Sequence, residues 1–257
     1  MDNKPQNSSV TGTDGKTWPL DASPLKSHSG RRLLITAGPT YEPIDAVRFI
    51  GNRSSGRLGI ALADEAARRG WRVTLLLGPT ALAPTDSHLA IRRFRTTADL
   101  EGLLREEGSR CDVLIMAAAV ADYRALNDEA GAHTKLRRTG ERLVLELEPT
   151  PDLLAGFSAT RRPDQFVVGF ALEPRERLLV SARAKLGRKN LDFIVANPLE
   201  TMDAPTIEAT ILGADGFERQ TDGPLPKELF APWLLELIEQ SLRHRASASL
   251  TTGASHS

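Results

Sequence analysis

Apolar runs of strand length, separated by segments of helical periodicity, constrain the fold of this 257-residue chain more than any other feature. The runs are RRLLITAGP (31–39), RVTLLLGP (72–79), DVLIMAAAV (112–120), QFVVGFAL (165–172) and DFIVANP (192–198), with a shorter one, IRRFRT (91–96). Nearly continuous apolar strands are typical of parallel sheets that helices cover on both faces. The sequence therefore predicts an α/β fold, a three-layer, doubly wound, Rossmann-like and mostly parallel sheet.

The segments between these runs predict the helices. In the segment 57–69, Leu58, Leu62 and Ala66 recur on one face, as in an amphipathic helix. Further helices are predicted over residues 98–107, 174–188 and 227–245. Because a proline inside a helix removes a hydrogen bond, we expect Pro232 to bend or restart the last helix.

Two stretches predict antiparallel hairpins added to the sheet. The run RLVLELEP (142–149) alternates apolar and polar residues, and with the preceding TKLRRTG it predicts a hairpin around Thr139 and Gly140. Residues 207–221 predict a second hairpin. Polar sequence rich in Ser, Gly and Pro at both ends predicts a disordered N-terminal arm over 1–29 and a disordered tail over 246–257. One domain is expected over 30–245.

Composition excludes several classes of protein. Lys and Arg number 33, as do Asp and Glu, so no global field attracts nucleic acid or an anionic membrane surface. No apolar stretch approaches the roughly 20 residues of a membrane span, and the cytoplasm is the expected location. The single cysteine, Cys111, lies at an apolar run and is predicted to be a reduced core residue. The five histidines are scattered, so no protein-bound metal site is predicted.

Hydrogen-bond donors concentrate in RFIGNRSSGRLG (48–59), directly before the first predicted helix. A helix N-terminus carries unpaired amides and the positive end of the helix dipole, and Ser54 or Ser55 is expected to cap it. Arg48, Asn52 and Arg53 add side-chain donors, and no Asp or Glu lies between Arg48 and Asp64. The stretch therefore predicts a site for a phosphate or carboxylate, with a solvated, N-capped helix as the alternative.

Two common nucleotide-binding signatures are missing. The pattern G-x-G-x-x-G does not occur, since Gly38 is followed by Pro-Thr-Tyr and lies far from Gly56. The second strand is followed by Gly78 and not by the acidic residue that binds a ribose. The Walker A pattern is absent as well. An NAD(P)-dependent reductase is therefore disfavoured.

Two further features allow a nucleotide site but also have ordinary structural explanations. The segment AAAVADYR (117–124) places small residues and Asp122 after a buried strand, where close backbone approach is possible, although small residues there also serve core packing. Only seven of the 33 basic residues are lysines, and Lys185 and Lys189 are neighbours on one helix face. Lysine suits phosphate as a compact point charge, but a solvated helix face remains open.

Taken in order, these motifs resemble the phosphopantothenoylcysteine synthetase (phosphopantothenate–cysteine ligase) family. The segments that carry the resemblance are ITAGPTYEPIDAVRFIGNRSSGRLGIALADEAARRG (35–70), VTLLLGP, AAAVADYR, TKLRR, TPDLL (150–154), VVGFA (167–171) and KLGRKNLDFIVAN (185–197). The resemblance covers about residues 32–245. Many bacterial members follow a flavin-dependent decarboxylase, and the short N-terminal arm leads us to expect a stand-alone synthetase of the bacterial type, with a separate phosphopantothenoylcysteine decarboxylase acting downstream.

The resemblance implies a two-step ligation. CTP would activate the carboxylate of 4′-phosphopantothenate as an acyl-cytidylate and release pyrophosphate, and L-cysteine would then displace CMP. Mg²⁺ would arrive bound to the triphosphate, held mostly by phosphate oxygens and water. The family is typically homodimeric, so a homodimer is expected; neither nucleic acid nor membrane is an expected partner.

The resemblance also implies roles for individual residues. Asn52 matches the asparagine that contacts the acyl intermediate, Arg48 matches an arginine of the second step, and Lys135 leads the basic motif that neutralises the triphosphate. Nucleotide-binding positions are Ala117, Ala118, Asp122, Lys135, Pro151, Asp152, Leu153, Leu154, Phe170, Lys185 and Lys189. Substrate-binding positions are Gly38, Arg48, Asn52, Ser54, Ser55 and Gly56.

Departures from the family pattern keep alternatives open. Arginines follow Lys135 where lysine is usual, Thr150 replaces an asparagine, GFALEP replaces the usual G-F-A-x-E-T, and the segment 200–212 lacks the usual Gly and Asn residues. An ATP-using relative and a non-catalytic nucleotide-binding paralogue are the alternatives, although the presence of Asn52 and Lys135 disfavours the paralogue.

Overall fold

The structure is a computed structural model that describes residues 9–11, 17–19, 30–126, 134–138 and 140–253. The strands are β1 (Ser9–Thr11), β2 (Thr17–Pro19), β3 (Arg32–Ala37), β4 (Tyr41–Pro43), β5 (Phe49–Gly51), β6 (Arg72–Leu77), β7 (Ala90–Arg93), β8 (Val113–Met116), β9 (Tyr123–Ala125), β10 (Leu147–Pro149), β11 (Phe166–Glu173), β12 (Phe193–Pro198), β13 (Thr206–Ile207), β14 (Thr210–Gly213), β15 (Glu218–Gln220) and β16 (Leu225–Pro226). The α-helices are α1 (Arg57–Arg68), α2 (Thr97–Gly108), α3 (Leu153–Thr160), α4 (Leu178–Arg188) and α5 (Lys227–Gly253).

A central sheet of eight strands has the order β15-β14-β12-β11-β8-β3-β6-β7. The strands from β12 to β7 are parallel, and β14 and β15 add an antiparallel edge. The chain order reverses between β3 and β8, which is the topological switch point where doubly wound sheets bind ligands. The predicted fold class and the predicted hairpin over 207–221 are confirmed.

Helices cover both faces of the sheet. Leu33, Ile35 and their in-register neighbours pack against α1 and α5, whereas Leu34 packs on the other face with buried residues of α2, α3 and α4. Alternate strand residues thus enter opposite cores, which is why the strands read as continuous apolar runs. Cys111 is buried in the second core, as predicted, and burial raises the pKa of its thiol to about 12.

Glycines set α1 directly against the end of β3. A Cβ atom on Gly59 would lie 2.5 Å from the Cβ atom of Ala37, and one on Gly56 would lie 3.4 Å from the Cα atom of Gly38. Gly56 also has a φ of 75°, which L side chains rarely adopt. The close approach places the N-terminus of α1 over the switch point.

Several predicted boundaries are wrong. In the predicted hairpin over 134–149, only Leu147–Pro149 forms a strand, and it pairs with β9, not across Gly140; Thr139 lies outside the described residues. Helix α4 begins at Leu178, because residues 174–177 form a turn.

At the C-terminus, α5 continues through Pro232 without a restart and extends past the predicted boundary at Ala246. Within the predicted arm, β1 and β2 pair as a short antiparallel hairpin. The division into one domain and two disordered ends stays a prediction. In the part of the chain that the structure describes, no helix has the length and apolarity that crossing a bilayer requires.

Candidate active site

The candidate site lies at the carboxyl edge, where the parallel strands of the central sheet have their C-terminal ends. The two backbone segments that follow β3 and β8 stay paired with each other. The Ala119 amide donates to the Gly38 carbonyl at 2.9 Å, and the Thr40 amide donates to the Ala119 carbonyl at 3.2 Å. The hydroxyl of Thr36 accepts a 3.0 Å hydrogen bond from the amide of Ala118. Gly38 and the half-buried Ala117 and Ala118 therefore line one continuous strip of backbone.

The turn before α1 keeps its amides largely free of protein acceptors. The first helical hydrogen bond runs from the Ile60 amide to the Gly56 carbonyl at 3.0 Å, so the preceding amides have no partner within the helix. The prediction that Ser54 or Ser55 caps α1 is wrong. The cap is Gly56 in a left-handed conformation, and the serine hydroxyls make only 3.4 Å contacts with the amides of Gly56 and Arg57.

Asn52 links the turn to the strip of backbone after β8. Its side-chain amide donates to the Val120 carbonyl at 2.7 Å. The residue is exposed, and no other hydrogen bond of its side chain involves the described residues. The carboxamide oxygen and the second N–H therefore remain available to a ligand that sits between the turn and Ala117–Asp122.

Carboxylates from outside the stretch 48–64 pair with its arginines, which the sequence reading did not foresee. Arg53 Nη2 lies 2.5 Å from an oxygen of Asp203, in the loop after β12. Arg48 Nε donates at 2.9 Å to Asp45, whose side chain is buried. The guanidinium beside Asp45 holds the pKa of that carboxyl well below its usual range. Both arginines thus already donate to protein carboxylates. In the sequence, the three-residue spacing of Asp45 and Arg48 was the signal that could have indicated the second pair.

Lys135 is exposed, and its ammonium has no hydrogen bond or ion pair with the described residues. Its neighbour Leu136 is held firmly: the Leu136 amide donates to Asp45 Oδ2 at 3.1 Å, and its carbonyl accepts from Arg48 Nη2 at 2.9 Å. The structure thus connects the Lys135 segment to Asp45 and Arg48 through the backbone of Leu136.

The predicted nucleotide-binding segment at 151–154 divides between surface and core. Pro151 and Asp152 are exposed, and Asp152 caps α3 by accepting from the Ala155 amide at 3.1 Å. Leu153 and Leu154 are buried in the second core, and their role in nucleotide binding stays a prediction.

Two further predicted site residues, Phe170 and Asp122, and Thr150, which departs from the family pattern, have the following surroundings. Phe170 is half-buried on β11. Asp122 is exposed, and its carbonyl accepts from the Thr150 amide at 2.9 Å. The Thr150 hydroxyl in turn donates to the Ala121 carbonyl at 2.5 Å, so the residue that departs from the family pattern anchors this loop.

Lys185 and Lys189 are both paired. Lys185 Nζ lies 2.8 Å from Glu173, the last residue of β11, and Lys189 Nζ lies 2.8 Å from Asp152. The hydrogen bond from Lys185 lowers the pKa of Glu173 in spite of partial burial. Burial alone would raise the pKa of Asp152, but the bonds from Lys189 and from the Ala155 amide lower it.

Lys227, unlike the lysines above, is buried and contacts the protein backbone. Its ammonium is buried at the start of α5 and donates to the Thr201 carbonyl at 3.4 Å. Burial, together with the nearby charge of Arg57, lowers the pKa of Lys227. The contact holds the 199–203 loop that carries Asp203 to Arg53.

A doubly wound sheet with an amide-rich turn at its switch point defines an α/β protein of the class that binds ligands at the carboxyl edge of the sheet. Among the described residues, no group of three His, Cys, Asp or Glu side chains is placed to hold a metal ion.

Comparison with known proteins identifies the family. Residues 28–242 match the family described as DNA/pantothenate metabolism flavoprotein C-terminal domain, and the chain belongs to it. The chain is 35% identical to the crystal structure of the C-terminal domain of coenzyme A biosynthesis bifunctional protein CoaBC, covering 84% of this chain and 97% of that one with a TM-score of 0.71. The predicted membership of the phosphopantothenoylcysteine synthetase family is confirmed.

Two longer relatives show how much of such proteins the chain represents. It is 37% identical over 223 residues to CoaBC of Escherichia coli strain K12, covering 84% of this chain and 53% of the relative. It is 42% identical over 212 residues to a protein named cysteine/cysteine sulfinic acid decarboxylase from an unknown prokaryotic organism, covering 79% and 58%. The chain thus spans little more than half the length of these curated relatives.

Proposed function

We propose that this chain joins 4′-phosphopantothenate to L-cysteine through an acyl-cytidylate, with CTP as the activating nucleotide. The observation that carries the proposal is the contact at the switch point between Asn52, in the amide-rich turn Asn52–Gly56, and the backbone strip Ala117–Asp122. The ammonium of Lys135, which has no partner among the described residues, supports the proposal. The family and its coenzyme A biosynthesis relatives support the choice of reaction.

In the first step, a carboxylate oxygen of the pantothenate ester attacks the α-phosphorus of CTP, and the bond to the leaving pyrophosphate breaks. Lys135 would neutralise charge that develops on the triphosphate. Mg²⁺ supplies further charge neutralisation when bound. Since lysines and amides dominate the site, its ligands would be phosphate oxygens and water, not a protein carboxylate cluster.

In the second step, the cysteine amine attacks the acyl carbon, the amide bond forms, and CMP leaves with the bonding electron pair. Asn52 can donate its second N–H to the acyl oxygen without adding charge. Gly38, Ser54, Ser55 and Gly56 would line the acyl side, and Ala117, Ala118, Asp122, Pro151 and Phe170 the nucleotide side. Lys185 and Lys189 would exchange their carboxylate partners for phosphate.

A homodimer is part of the proposal, because two adjoining hairpins expose apolar side chains. The hairpins β4–β5 and β9–β10 contact each other. Exposed apolar residues on or beside them are Val47, Phe49, Tyr123, Leu126, Leu143, Val144 and Leu147, with Val144 80% exposed. Such a patch on a folded domain marks an interaction surface. Sedimentation should therefore give twice the chain mass, and Val144→Asp should shift it toward a monomer.

The test is pyrophosphate release from CTP or ATP with 4′-phosphopantothenate, measured with and without cysteine. The proposal expects CTP-dependent release, CMP formation that cysteine accelerates, and a new amide product by mass spectrometry. Turnover with ATP alone would instead establish the ATP-using relative. Nucleotide binding without release would establish the non-catalytic paralogue, and carbon dioxide release from cysteine sulfinate would favour the activity named for the decarboxylase relative.

A further inference from the structure

A buried carboxylate, that of Asp45, holds the Lys135 segment against the loop that precedes β5. The side chain of Asp45 has no exposed surface, although its partner Arg48 is 46% exposed. Asp45 Oδ1 accepts from the amides of Val47 and Arg48 at 2.9 and 2.7 Å. Asp45 Oδ2 accepts from Arg48 Nε and Nη2 at 2.9 and 2.5 Å. The carboxylate is therefore fixed by contacts within its own loop, independently of any distant residue.

Among the described residues, the distant group that this pair holds is the backbone of Leu136, about ninety residues away in the chain. Asp45 accepts from the Leu136 amide, while Arg48 donates to the Leu136 carbonyl. Two hydrogen bonds of opposite direction on one residue fix both its position and its orientation. Because both involve charged groups, they are stronger than ordinary backbone bonds.

The contact matters for Lys135 because nothing else in the described residues holds that side chain. A lysine stem has several rotatable bonds, and its placement loses conformational entropy. Anchoring the adjacent residue restricts where the ammonium can reach without occupying its charge. The arrangement leaves the ammonium of Lys135 without a partner among the described residues while it restricts the position of the Lys135 backbone.

We infer that Asp45 and Arg48 form a positioning pair that sets Lys135 against the reacting phosphate, so that Asp45 acts on the first chemical step through Lys135. This inference rests on the proposed function. The simpler alternative is that Asp45 only shapes its own loop, where the Ile44 amide also bonds the Arg48 carbonyl at 2.8 Å. In that case loss of Asp45 would affect stability but not act through Lys135.

The experiment is a double-mutant cycle on pyrophosphate release without cysteine, at saturating CTP and phosphopantothenate. It compares Asp45→Asn, Lys135→Gln and the double variant. Asp64→Asn is the matched control, since Asp64 anchors another loop through the amides of Thr85 and Asp86 at 3.0 and 3.1 Å. We expect Asp45→Asn to slow release about 10- to 100-fold, the scale expected for a misplaced catalytic group. Its effect should nearly vanish in the Lys135→Gln background, and Asp64→Asn should stay near the wild-type rate.

Trypsin cleavage after Lys135, Arg137 and Arg138 gives a readout that needs no activity. Asp45→Asn should speed cleavage there several-fold, whereas Asp64→Asn should not. An equal slowing by Asp45→Asn with and without Lys135 would overturn the inference, as would faster cleavage with unchanged pyrophosphate release. If wild-type protein releases no pyrophosphate from CTP or ATP, the proposed function fails, and trypsin protection then reports on the anchor alone.

Discussion

Lys135 differs from Lys185 and Lys189 in what surrounds its ammonium group. Lys135 is exposed and unpaired among the described residues, while its backbone is anchored through Leu136. Lys185 and Lys189 lie on α4 and form ion pairs with Glu173 and Asp152. A free charge can meet a developing phosphate charge at once. A paired lysine must first give up its carboxylate, which suits ground-state binding.

Removal of the free charge should have the largest effect. We expect Lys135→Gln to slow formation of the acyl-cytidylate about 100- to 1,000-fold, because one stabilising group at the developing charge is lost. Pyrophosphate release without cysteine measures this step. Arg105→Gln is the control, since Arg105 is an exposed arginine of α2 that pairs with Glu101 and has no assigned role. A Lys135→Gln rate within a few-fold of wild type would remove the contrast between the two lysine regions.

Asn52→Ala should have the next largest effect, and on the other step. Its side chain reaches Val120 and can turn a second N–H toward the acyl oxygen. We expect amide formation to fall about tenfold to 100-fold while pyrophosphate release changes little. Mass spectrometry of accumulated acyl-cytidylate checks the separation. Equal slowing of both steps would show that Asn52 mainly holds the turn together.

Lys189→Gln should have a smaller effect, limited to binding. We expect the KM for CTP to rise about three- to tenfold with little change in kcat, as for a charge that contacts ground state and transition state alike. Initial rates over a range of CTP concentrations measure both constants. Arg183 lies on the same helix as Lys189 and forms a surface ion pair with Glu218, so Arg183→Gln serves as the control. A fall in kcat alone would place Lys189 in the chemical step.

Acid should weaken the paired region gradually. The carboxyls of Asp152 and Glu173 have pKa values lowered from 3.8 and 4.5. Their contribution to stability is complete above those ordinary values and is lost as the pH falls toward the lowered ones. We expect the urea midpoint to be flat above about pH 5 and to drop below about pH 4.5, less steeply in Lys189→Gln. A midpoint that stays constant down to pH 3 would contradict the assigned pairs.

The fold was predictable because buried positions of the sheet are occupied by apolar residues, which the sequence shows directly. Runs such as RRLLITAGP and QFVVGFAL carry apolar residues at consecutive positions because alternate residues enter opposite cores. The alternating run at 142–149 led to a wrong prediction, because the same relation between apolar residues and burial was assumed there. Its alternation indicated a half-buried strand, yet Leu143 and Val144 are 60% and 80% exposed, and only Leu147–Pro149 finds a partner strand.

The candidate donors could be named from the sequence, but their partners could not. Residue types indicated Asn52 and the turn before α1, because those types are suited to anions, whereas the role of Lys135 was implied by the family resemblance. The ion pair between Arg53 and Asp203 depends on how a distant loop folds, and no local pattern encodes it. The contact of Asp45 with Leu136 likewise appears only once two segments far apart in the chain meet.

The central claim is that the unpaired lysine acts on the reacting phosphate, whereas the paired lysines bind the nucleotide. Single-turnover pyrophosphate release at saturating CTP, run side by side for Lys135→Gln and Lys189→Gln, tests it most directly. The account predicts that saturation restores the wild-type rate for Lys189→Gln but leaves Lys135→Gln at least about 100-fold slow. Recovery of Lys135→Gln at high CTP, with Lys189→Gln remaining slow, would contradict it.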